Sequence, residues 1–286
     1  MKKKKVLITG AKGQLGSAIG EVSKKYDSLE CCFTDLDELD ITNAGALDAF
    51  MERLRPDILI NCAAYTAVDK AEEEKDKAFL INSHACGNLA QMSLKYGCKL
   101  LHISTDFVFD GRQNTPLHEN DPTGPLSVYG ASKLEGEKRI LSACPDALII
   151  RTSWLYYQQG HNFVRTMQRY GRERAELSVV YDQLGSPTYA GDLAQAVLQI
   201  ISAFPDAKGI YHYANEGVIS WFDFAKTIME LSEIKCQLHP VLTSQYPTAA
   251  KRPAYSVLDK AKFRESFGIA IPWWKDSLRI CIEKMK

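Results

Sequence analysis

The sequence carries no net charge, and this excludes functions that depend on bulk electrostatic attraction. Its 286 residues include 35 lysines and arginines and 35 aspartates and glutamates. Binding to nucleic acid or to an anionic membrane surface draws on a basic excess, which this chain does not have. We therefore expect neither a nucleic-acid partner nor a membrane partner.

Cysteine pairs, metal-ligand clusters and long apolar runs are also missing. None of the eight cysteines forms a C-x-x-C pair, and no apolar run approaches the length of a membrane span. No signal-peptide pattern precedes the first strand, and there is no repeat or nucleophile elbow. These absences predict a reduced, cytoplasmic protein without a metal site.

What the sequence does contain begins with a glycine-rich turn. The apolar segment 6–9 predicts a buried strand, and a G-x-x-G-x-x-G spacing follows it from Gly10 to Gly16. At a strand-to-helix junction, this spacing lets backbone amides approach a pyrophosphate at the helix N-terminus. Asp35 ends the next strand, about where a carboxylate binds the ribose of NAD. The segment predicts a dinucleotide site.

Strands then alternate with helices through the first half of the chain, and this alternation is typical of a doubly wound α/β sheet. We predict a Rossmann-type, mostly parallel sheet with a smaller α/β C-terminal substrate domain. We expect a dinucleotide-binding domain over residues 1–151 and a substrate domain over residues 152–286, which the resemblance described below makes an NAD(P)-binding domain and a sugar-nucleotide-binding domain. We expect segment 189–204 to pack back on the first domain.

A tyrosine and a lysine four residues apart are the candidate catalytic pair. On a helix, Tyr129 and Lys133 leave the same face one turn apart. An ammonium beside the phenol would lower the pKa of the tyrosine and make it a usable general acid. Thr105, at the end of a predicted strand, can return to the same substrate oxygen. The alternative is a solvated helix face, where this spacing is common.

Aromatic and cationic residues cluster in the last half of the chain. Trp154 lies near Asn162 and Arg165, and Arg252 follows in a later loop. Arginines near aromatic rings suit a nucleotide diphosphate with a base to stack. The alternative is an aromatic helix edge that only packs.

Longer motifs make the chain resemble the extended short-chain dehydrogenase/reductases over nearly its whole length. The glycine turn and YGASKLEGE (129–137) identify that superfamily. The segments that narrow the resemblance to reductases of a dTDP-linked keto sugar are RTSWLY (151–156), NFVRTM (162–167) and RPAYSVLD (252–259).

The resemblance implies NAD(P)H-dependent reduction of dTDP-4-dehydro-L-rhamnose. Tyr129 would donate the proton, Lys133 would orient the nicotinamide ribose and lower the tyrosine pKa, and Thr105 would complete the triad. We expect the substrate to contact Thr105, Asp106, Tyr129, Trp154, Asn162, Arg165 and Arg252. We expect the cofactor to contact Gly10, Gly13, Gln14, Leu15, Gly16, Asp35, Asp40, Ile41, Ala63, Ala64, Tyr65, Thr66, Tyr129 and Lys133.

Single residues predict which cofactor the protein prefers and which oligomeric state it has. Asp35 and Asp40 would repel a 2′-phosphate and Lys12 is the nearby cation, so we expect use of both NADH and NADPH with a tilt to NADH. Some relatives dimerise through magnesium held by glutamates, and two of those positions are Ala18 and Gly191 here. We therefore expect a monomer or a metal-independent homodimer.

Two other functions stay open at this point. One is a different epimerase, reductase or dehydratase for sugar nucleotides, although a dehydratase would favour a carboxylate pair where this chain has Thr105-Asp106. The other is a catalytically silent, NADP-binding regulatory subunit.

Overall fold

The computed structural model describes residues 3–203 and 206–286. Its strands and helices alternate along the chain, as the sequence predicts. The strands are β1 (Lys4–Thr9), β2 (Leu29–Thr34), β3 (Ile58–Asn61), β4 (Lys99–Thr105), β5 (Leu148–Thr152), β6 (Leu155–Tyr156), β7 (Glu176–Val180), β8 (Leu184–Gly185), β9 (Thr188–Tyr189), β10 (Gly209–His212), β11 (Ile219–Ser220) and β12 (Gln237–Val241). The helices are α1 (Gln14–Val22), α2 (Ala44–Leu54), α3 (Lys75–Phe79), α4 (Ala85–Tyr96), α5 (Val128–Ala143), α6 (Phe163–Glu173), α7 (Ala190–Ala203), α8 (Trp221–Leu231), α9 (Ala261–Phe267) and α10 (Trp274–Glu283).

A parallel sheet organises the described residues. Six strands pair in the order β10-β5-β4-β3-β1-β2. The strand order reverses between β1 and β3, and ligands of open α/β sheets bind outside the carboxyl ends of the strands at such a point. The expected doubly wound, mostly parallel fold is confirmed, and the topology places the ligand crevice.

Helices cover both faces of this sheet. Val6 and Ile8 of β1 pack on the side that carries α1 and α7, whereas Leu7 packs on the side of α2, α4 and α5. Successive strand residues point to opposite faces, so a strand buried on both sides reads as a continuous apolar run. Because helices bury both faces of the sheet, the ends of the strands are left for polar residues.

The structure differs from the expected organisation at β10. The sequence pattern assigns this strand to the substrate domain, but it pairs in parallel with β5 at the edge of the main sheet. Within the expected segment 189–204, helix α7 packs against α1, and residue 204 lies outside the described residues. The division at residues 151 and 152 stays a prediction.

The sequence predicts a single helix over residues 78–96, but a π-helical turn at Leu80–His84 separates α3 from α4. The turn carries Asn82, which is fully buried. Its side chain accepts from the Tyr65 amide at 2.8 Å and donates to the Tyr65 carbonyl at 3.0 Å. The extra residue of a π-turn aims this amide at the loop after β3.

Among the residues the structure describes, no helix has the length and apolar character that crossing a membrane requires. Within the same residues, no group of three or more histidine, cysteine or acidic side chains is arranged to hold a metal ion.

Candidate active site

A cleft of about 1140 Å³ runs along the carboxyl ends of β1, β3, β4 and β5 and under the C-terminal part of the chain. Most of the residues expected at the site line it. They are Gly10, Gly13, Gln14, Leu15, Asp35, Asp40, Ile41, Ala63, Ala64, Thr66, Thr105, Asp106, Tyr129, Lys133, Trp154, Asn162 and Arg252.

Three expected contact residues are not among those that line the cleft. Tyr65 is buried, and its hydroxyl donates to Glu74 at 2.8 Å. Asn82 accepts from its backbone amide and holds this part of the chain in place. Arg165 is exposed on α6, and its guanidinium donates to the Gln158 carbonyl at 2.7 Å. Gly16 lies beneath the turn, where a Cβ atom would be 2.3 Å from the Gly10 carbonyl oxygen.

The glycine turn forms a narrow cradle of backbone. Gly10 has a φ of +68°, and a Cβ there would lie 2.6 Å from the Ala63 amide. Helix α1 begins after Gly13, which has no side chain to cap the helix. The N–H groups of the first turn therefore face the cleft without a side-chain acceptor. The helix N-terminus also carries partial positive charge. This cradle fits the pyrophosphate of a dinucleotide.

An acidic corner adjoins the cradle at the end of β2. Asp35 accepts hydrogen bonds from the Lys12 amide at 2.8 Å and from the Leu36 amide at 2.9 Å. The Lys12 ammonium is paired with Asp37 at 2.5 Å and lies 3.7 Å from Glu38. The Lys12 cation of this corner therefore already has acidic partners.

Tyr129 is placed by the first turn of α5. Ser127 caps this helix by accepting from the Gly130 amide at 3.2 Å. A Cβ at Gly130 would lie 2.2 Å from the Phe107 carbonyl, so glycine lets the helix approach the loop after β4. Burial raises the pKa of Tyr129 to about 12, the neighbouring Thr105 hydroxyl acts to lower it and the charge of Asp106 to raise it. Thr105 and Tyr129 therefore meet, as the sequence predicts.

The Lys133 side chain is held by the strand next to its helix. The Lys133 ammonium position lies 2.7 Å from the Ile103 carbonyl and 3.3 Å from Nε2 of His102. Burial moves the pKa of Tyr129 upward from 10, and the expected lowering of this pKa by Lys133 stays a prediction. The helix spacing placed the lysine on the correct face, but a carbonyl of the neighbouring strand takes its hydrogen bond.

Asp106 offers a buried carboxyl to the cleft. Thr105 donates to its Oδ1 atom at 3.0 Å, whereas the buried Oδ2 atom has no hydrogen-bond partner among the described residues. Burial raises the pKa of this carboxyl to about 6. A free acceptor in an enclosed site suits a sugar hydroxyl, since a buried polar atom is stabilised when it gains a partner.

Trp221 was not expected at the site. Its ring stacks on Trp154 with centroids 3.6 Å apart, and both indoles line the cleft. Trp154 has a φ of +47°, and a Cβ at Gly185 would lie 2.5 Å from its ring. A tryptophan after the Ser220 N-cap gives no local signal for this contact, because 66 residues separate the two indoles in sequence.

Comparisons with known proteins agree with this architecture. The family model described as "RmlD substrate binding domain" matches residues 4–286. A dTDP-4-dehydrorhamnose reductase of Aggregatibacter actinomycetemcomitans is 40% identical over 96% of this chain and 97% of its own.

Two solved structures are similar over nearly the whole chain. A dTDP-4-dehydrorhamnose reductase of Clostridium acetobutylicum has a TM-score of 0.95 and 43% identity, and covers 98% of this chain and 99% of its own. One from Bacillus anthracis, in complex with NADP, has a TM-score of 0.95 and 40% identity over 99% of both chains. The chain therefore belongs to the RmlD substrate binding domain family, together with these reductases.

Proposed function

We propose that this protein reduces the C4 keto group of dTDP-4-dehydro-L-rhamnose to give dTDP-L-rhamnose, the last step of dTDP-rhamnose biosynthesis. The observation that carries the proposal is the meeting of Tyr129, Thr105 and Lys133 in the same cleft as the glycine cradle. Relatives that match nearly the whole chain are named for this reaction.

The described residues supply proton transfer and orientation. The phenol of Tyr129 donates a proton to the oxygen that becomes an alkoxide, and Thr105 hydrogen-bonds the same oxygen. Lys133, as an ammonium, stabilises the phenolate left behind. The bound nicotinamide supplies the hydride. The free Oδ2 atom of Asp106 accepts from a sugar hydroxyl and the Trp154–Trp221 pair forms a wall of the sugar site.

The glycine cradle of Gly10, Gly13 and the α1 N-terminus binds the pyrophosphate, and Asp35 binds the adenosine ribose. Use of both cofactors follows, with a tilt to NADH, because Lys12 is already paired with Asp37. The relative with NADP bound supports dual use. Comparing KM for the two reduced cofactors tests this tilt, and a large ratio in favour of NADPH would contradict it.

The assembly is a monomer or a homodimer that needs no metal, and the site of action is the cytoplasm. Neither Ala18 nor Gly191 has a side chain that can bind magnesium. Analytical ultracentrifugation with and without a chelator tests the proposed oligomeric state. A dimer that dissociates when magnesium is removed would contradict it.

The reaction is tested by mixing the protein with NADH and dTDP-4-dehydrorhamnose and following the absorbance of the reduced cofactor. We expect its loss in step with formation of dTDP-L-rhamnose. An epimerase would convert the sugar without net cofactor oxidation, and a silent regulatory subunit would bind cofactor without turnover. Either of those results would overturn the proposal.

A further inference from the structure

The Trp154 indole lines the cleft from a backbone conformation that tryptophan rarely adopts. Its φ of +47° falls in the left-handed region, which is costly for a bulky side chain. Such a conformation persists where the surrounding structure holds it, and it is found often at sites that clamp a ligand. Trp154 therefore needs neighbours that fix both its backbone and its side chain.

The backbone on either side of Trp154 is fixed by one later segment of the chain. The Ser153 hydroxyl donates to the Ser186 carbonyl at 2.7 Å. The Trp154 carbonyl accepts from the Thr188 amide at 3.2 Å. Both partners lie in the segment that runs from β8 into β9, so this segment sets the point from which the indole projects.

A two-stranded ribbon of β8 and β11 supplies the contacts of the indole itself. The two strands pair antiparallel, with Gly185 opposite Ile219. A Cβ atom at Gly185 would lie 2.5 Å from Cε2 and 2.8 Å from Nε1 of Trp154, so only a glycine backbone can approach the ring this closely. Trp221 comes directly after β11 and stacks on the same ring.

The two indoles are nearly parallel and in close contact. Their planes are 10° apart and their centroids 3.6 Å apart. Among the residues that the structure describes, Trp221 is the one aromatic ring in contact with Trp154. Aromatic pairs stabilise a structure by more than the area that they bury. Without Trp221, the Trp154 indole would lose the contact that holds its plane.

Trp221 is in turn anchored to the core. A capping box at Ser220 fixes the first turn of α8, which begins with Trp221. The Trp221 ring packs against Phe163 with centroids 4.6 Å apart, and Phe163 stacks on the fully buried Phe224. Support therefore passes from the aromatic core through Trp221 to Trp154.

Trp154 lies close to the candidate catalytic residues along the chain. Thr152 ends β5 and pairs with Thr105 at the end of β4. Trp154 follows Thr152 by two residues, a distance of at most about 7 Å along the backbone. Trp221 meets this part of the molecule through the stack.

We propose that Trp221 is a positioning residue, which fixes the Trp154 indole as the wall against which the keto sugar binds and acts through that indole. The inference rests on the proposed reduction, in which the sugar lies beside Thr105 and Tyr129. A wall that is fixed before binding spares the complex the cost of ordering a side chain. Loss of Trp221 therefore weakens binding of the sugar nucleotide and leaves the cofactor site intact.

The test is KM for dTDP-4-dehydrorhamnose, measured with NADH in two variants of Trp221. We expect Trp221→Leu to raise this KM about 5- to 10-fold through loss of the aromatic pair. We expect kcat and KM for NADH to stay within about twofold. Trp221→Phe keeps a ring against Trp154 and should restore a KM within about twofold of the wild type.

The matched control is Trp273→Leu. It removes an exposed indole that is not among the residues lining the cleft. We expect all three kinetic constants of this variant to equal those of the wild type.

A double-mutant cycle separates positioning from direct contact with the sugar. Trp154→Ala alone should raise KM for the sugar nucleotide, because the wall is lost. If Trp221 acts through Trp154, adding Trp221→Leu to Trp154→Ala should cause no further rise.

Gly185→Ala disturbs the same indole through a different contact and keeps the test decisive if Trp221→Leu does not fold. The new Cβ atom displaces the ring that it would otherwise overlap. We expect KM for the sugar nucleotide to rise as in Trp221→Leu, and to stay unchanged when Gly185→Ala is added to Trp154→Ala.

The outcomes separate the two proposals. An unchanged KM for the sugar nucleotide in Trp221→Leu and Gly185→Ala overturns the inference alone. A further rise on the Trp154→Ala background also overturns it, because Trp221 would then contact the sugar itself. An equal rise in KM for NADH overturns it as well, since that result marks a general structural role. Absence of wild-type turnover overturns the proposed reaction, and the inference with it.

Discussion

Burial raises the pKa of the Tyr129 phenol to about 12, and in the proposed reaction this phenol gives up its proton to the substrate. A proton held this firmly is released only to a strong base, and an alkoxide that forms as hydride arrives is such a base. The buried site therefore couples proton donation to hydride transfer. Thr105 shares the oxygen and limits the charge that builds up on it.

Replacing the phenol tests this role at the residue scale. We expect Tyr129→Phe to lower kcat by about 100- to 10,000-fold, because the proton donor is lost while the ring stays packed against Phe107. The dissociation constant for NADH, measured by fluorescence, should stay within about twofold.

The control for that variant is Tyr181→Phe, which removes a hydroxyl from an exposed tyrosine. It should keep wild-type kcat. Turnover close to wild type in Tyr129→Phe would refute the assignment of the proton donor.

At this scale, the sequence predicted which residues meet better than it predicted their electrostatics. The four-residue spacing placed Tyr129 and Lys133 on one helix face, and Thr105 was expected beside the phenol. The upward direction of the tyrosine pKa shift could not be predicted, because it depends on how deeply the phenol is buried. The partners of Lys133 could not be predicted either. The Ile103 carbonyl and the His102 ring belong to another strand, and helix spacing carries no information about them.

At the scale of single elements, Gly16 and Gly20 of helix α1 lie in different surroundings. A Cβ at Gly16 would lie 2.3 Å from the Gly10 carbonyl oxygen, whereas a Cβ at Gly20 would lie 3.7 Å from the Phe33 ring. The first contact is with backbone that cannot move without opening the cradle. The second is an ordinary van der Waals contact.

We therefore expect opposite results from two identical substitutions. Gly16→Ala should lower the free energy of unfolding by about 1–3 kcal/mol through overpacking and weaken NADH binding. Gly20→Ala should be neutral or stabilising by up to about 1 kcal/mol, because alanine favours a helix interior. Urea unfolding and NADH titration measure both effects, and equal destabilisation by the two variants would contradict the account.

Helix α5 is tied to the sheet by a buried ion pair. Glu137 accepts from Arg151 at 2.7 and 2.9 Å, and the side chains of both are 2% exposed. Ser104 donates to the same carboxylate. Ser104 precedes Thr105 and Glu137 follows Lys133 by one turn, so these contacts set the distance between β4 and α5 at the candidate site.

Breaking this pair should leave a buried arginine without its anion. We expect Glu137→Gln to lower the free energy of unfolding by about 3 kcal/mol. Glu135→Gln removes a surface partner of Arg139 on the same helix, at 3.3 Å, and should cause little change. Thermal unfolding of the two variants gives the comparison, and a similar loss from both would argue against the role of the buried pair.

Element boundaries show where sequence patterns lose information. The Ser220 N-cap and the end of α2 before Pro56 were predictable, because caps and prolines act locally. The π-turn around Asn82 was not, since its cause is a hydrogen bond to Tyr65 seventeen residues away. The position of β10 in the main sheet likewise depends on its pairing with β5.

At the scale of the whole molecule, polar contacts beside the cleft join segments of the first half of the chain to segments of the second half. Asn162 donates to the Gln14 side chain at 3.0 Å, joining α6 to the glycine cradle. Arg252 forms a two-point pair with Asp69 at 3.1 and 2.6 Å. Arg252 lines the cleft, and we propose that the N–H groups not donated to Asp69 bind the substrate diphosphate.

We expect Arg252→Gln to raise KM for the dTDP-sugar by about 10- to 100-fold, the loss of one charge-assisted hydrogen bond, with little change in KM for NADH. The neighbouring Lys251 is exposed and gives the control, since Lys251→Gln should leave both constants unchanged. Steady-state kinetics with each substrate varied in turn decides the matter. An increase confined to KM for NADH would assign Arg252 to the cofactor instead.

The doubly wound sheet and the cradle could be predicted at this scale, because strand alternation and glycine spacing are local patterns that repeat. The stacking of Trp154 on Trp221 and the exposed position of Arg165 could not. They depend on how separate segments pack, and the sequence near each residue does not record its distant partner.

Delivery of hydride to C4 of the sugar is the central claim, and isotope transfer tests it most directly. The protein is incubated with dTDP-4-dehydro-L-rhamnose and with NADH in which both hydrogens at C4 of the nicotinamide are deuterium. The product is analysed by NMR. We predict dTDP-L-rhamnose with deuterium at C4 of the sugar and one equivalent of oxidised cofactor. Protium at that carbon, or a changed sugar without cofactor oxidation, would contradict the account.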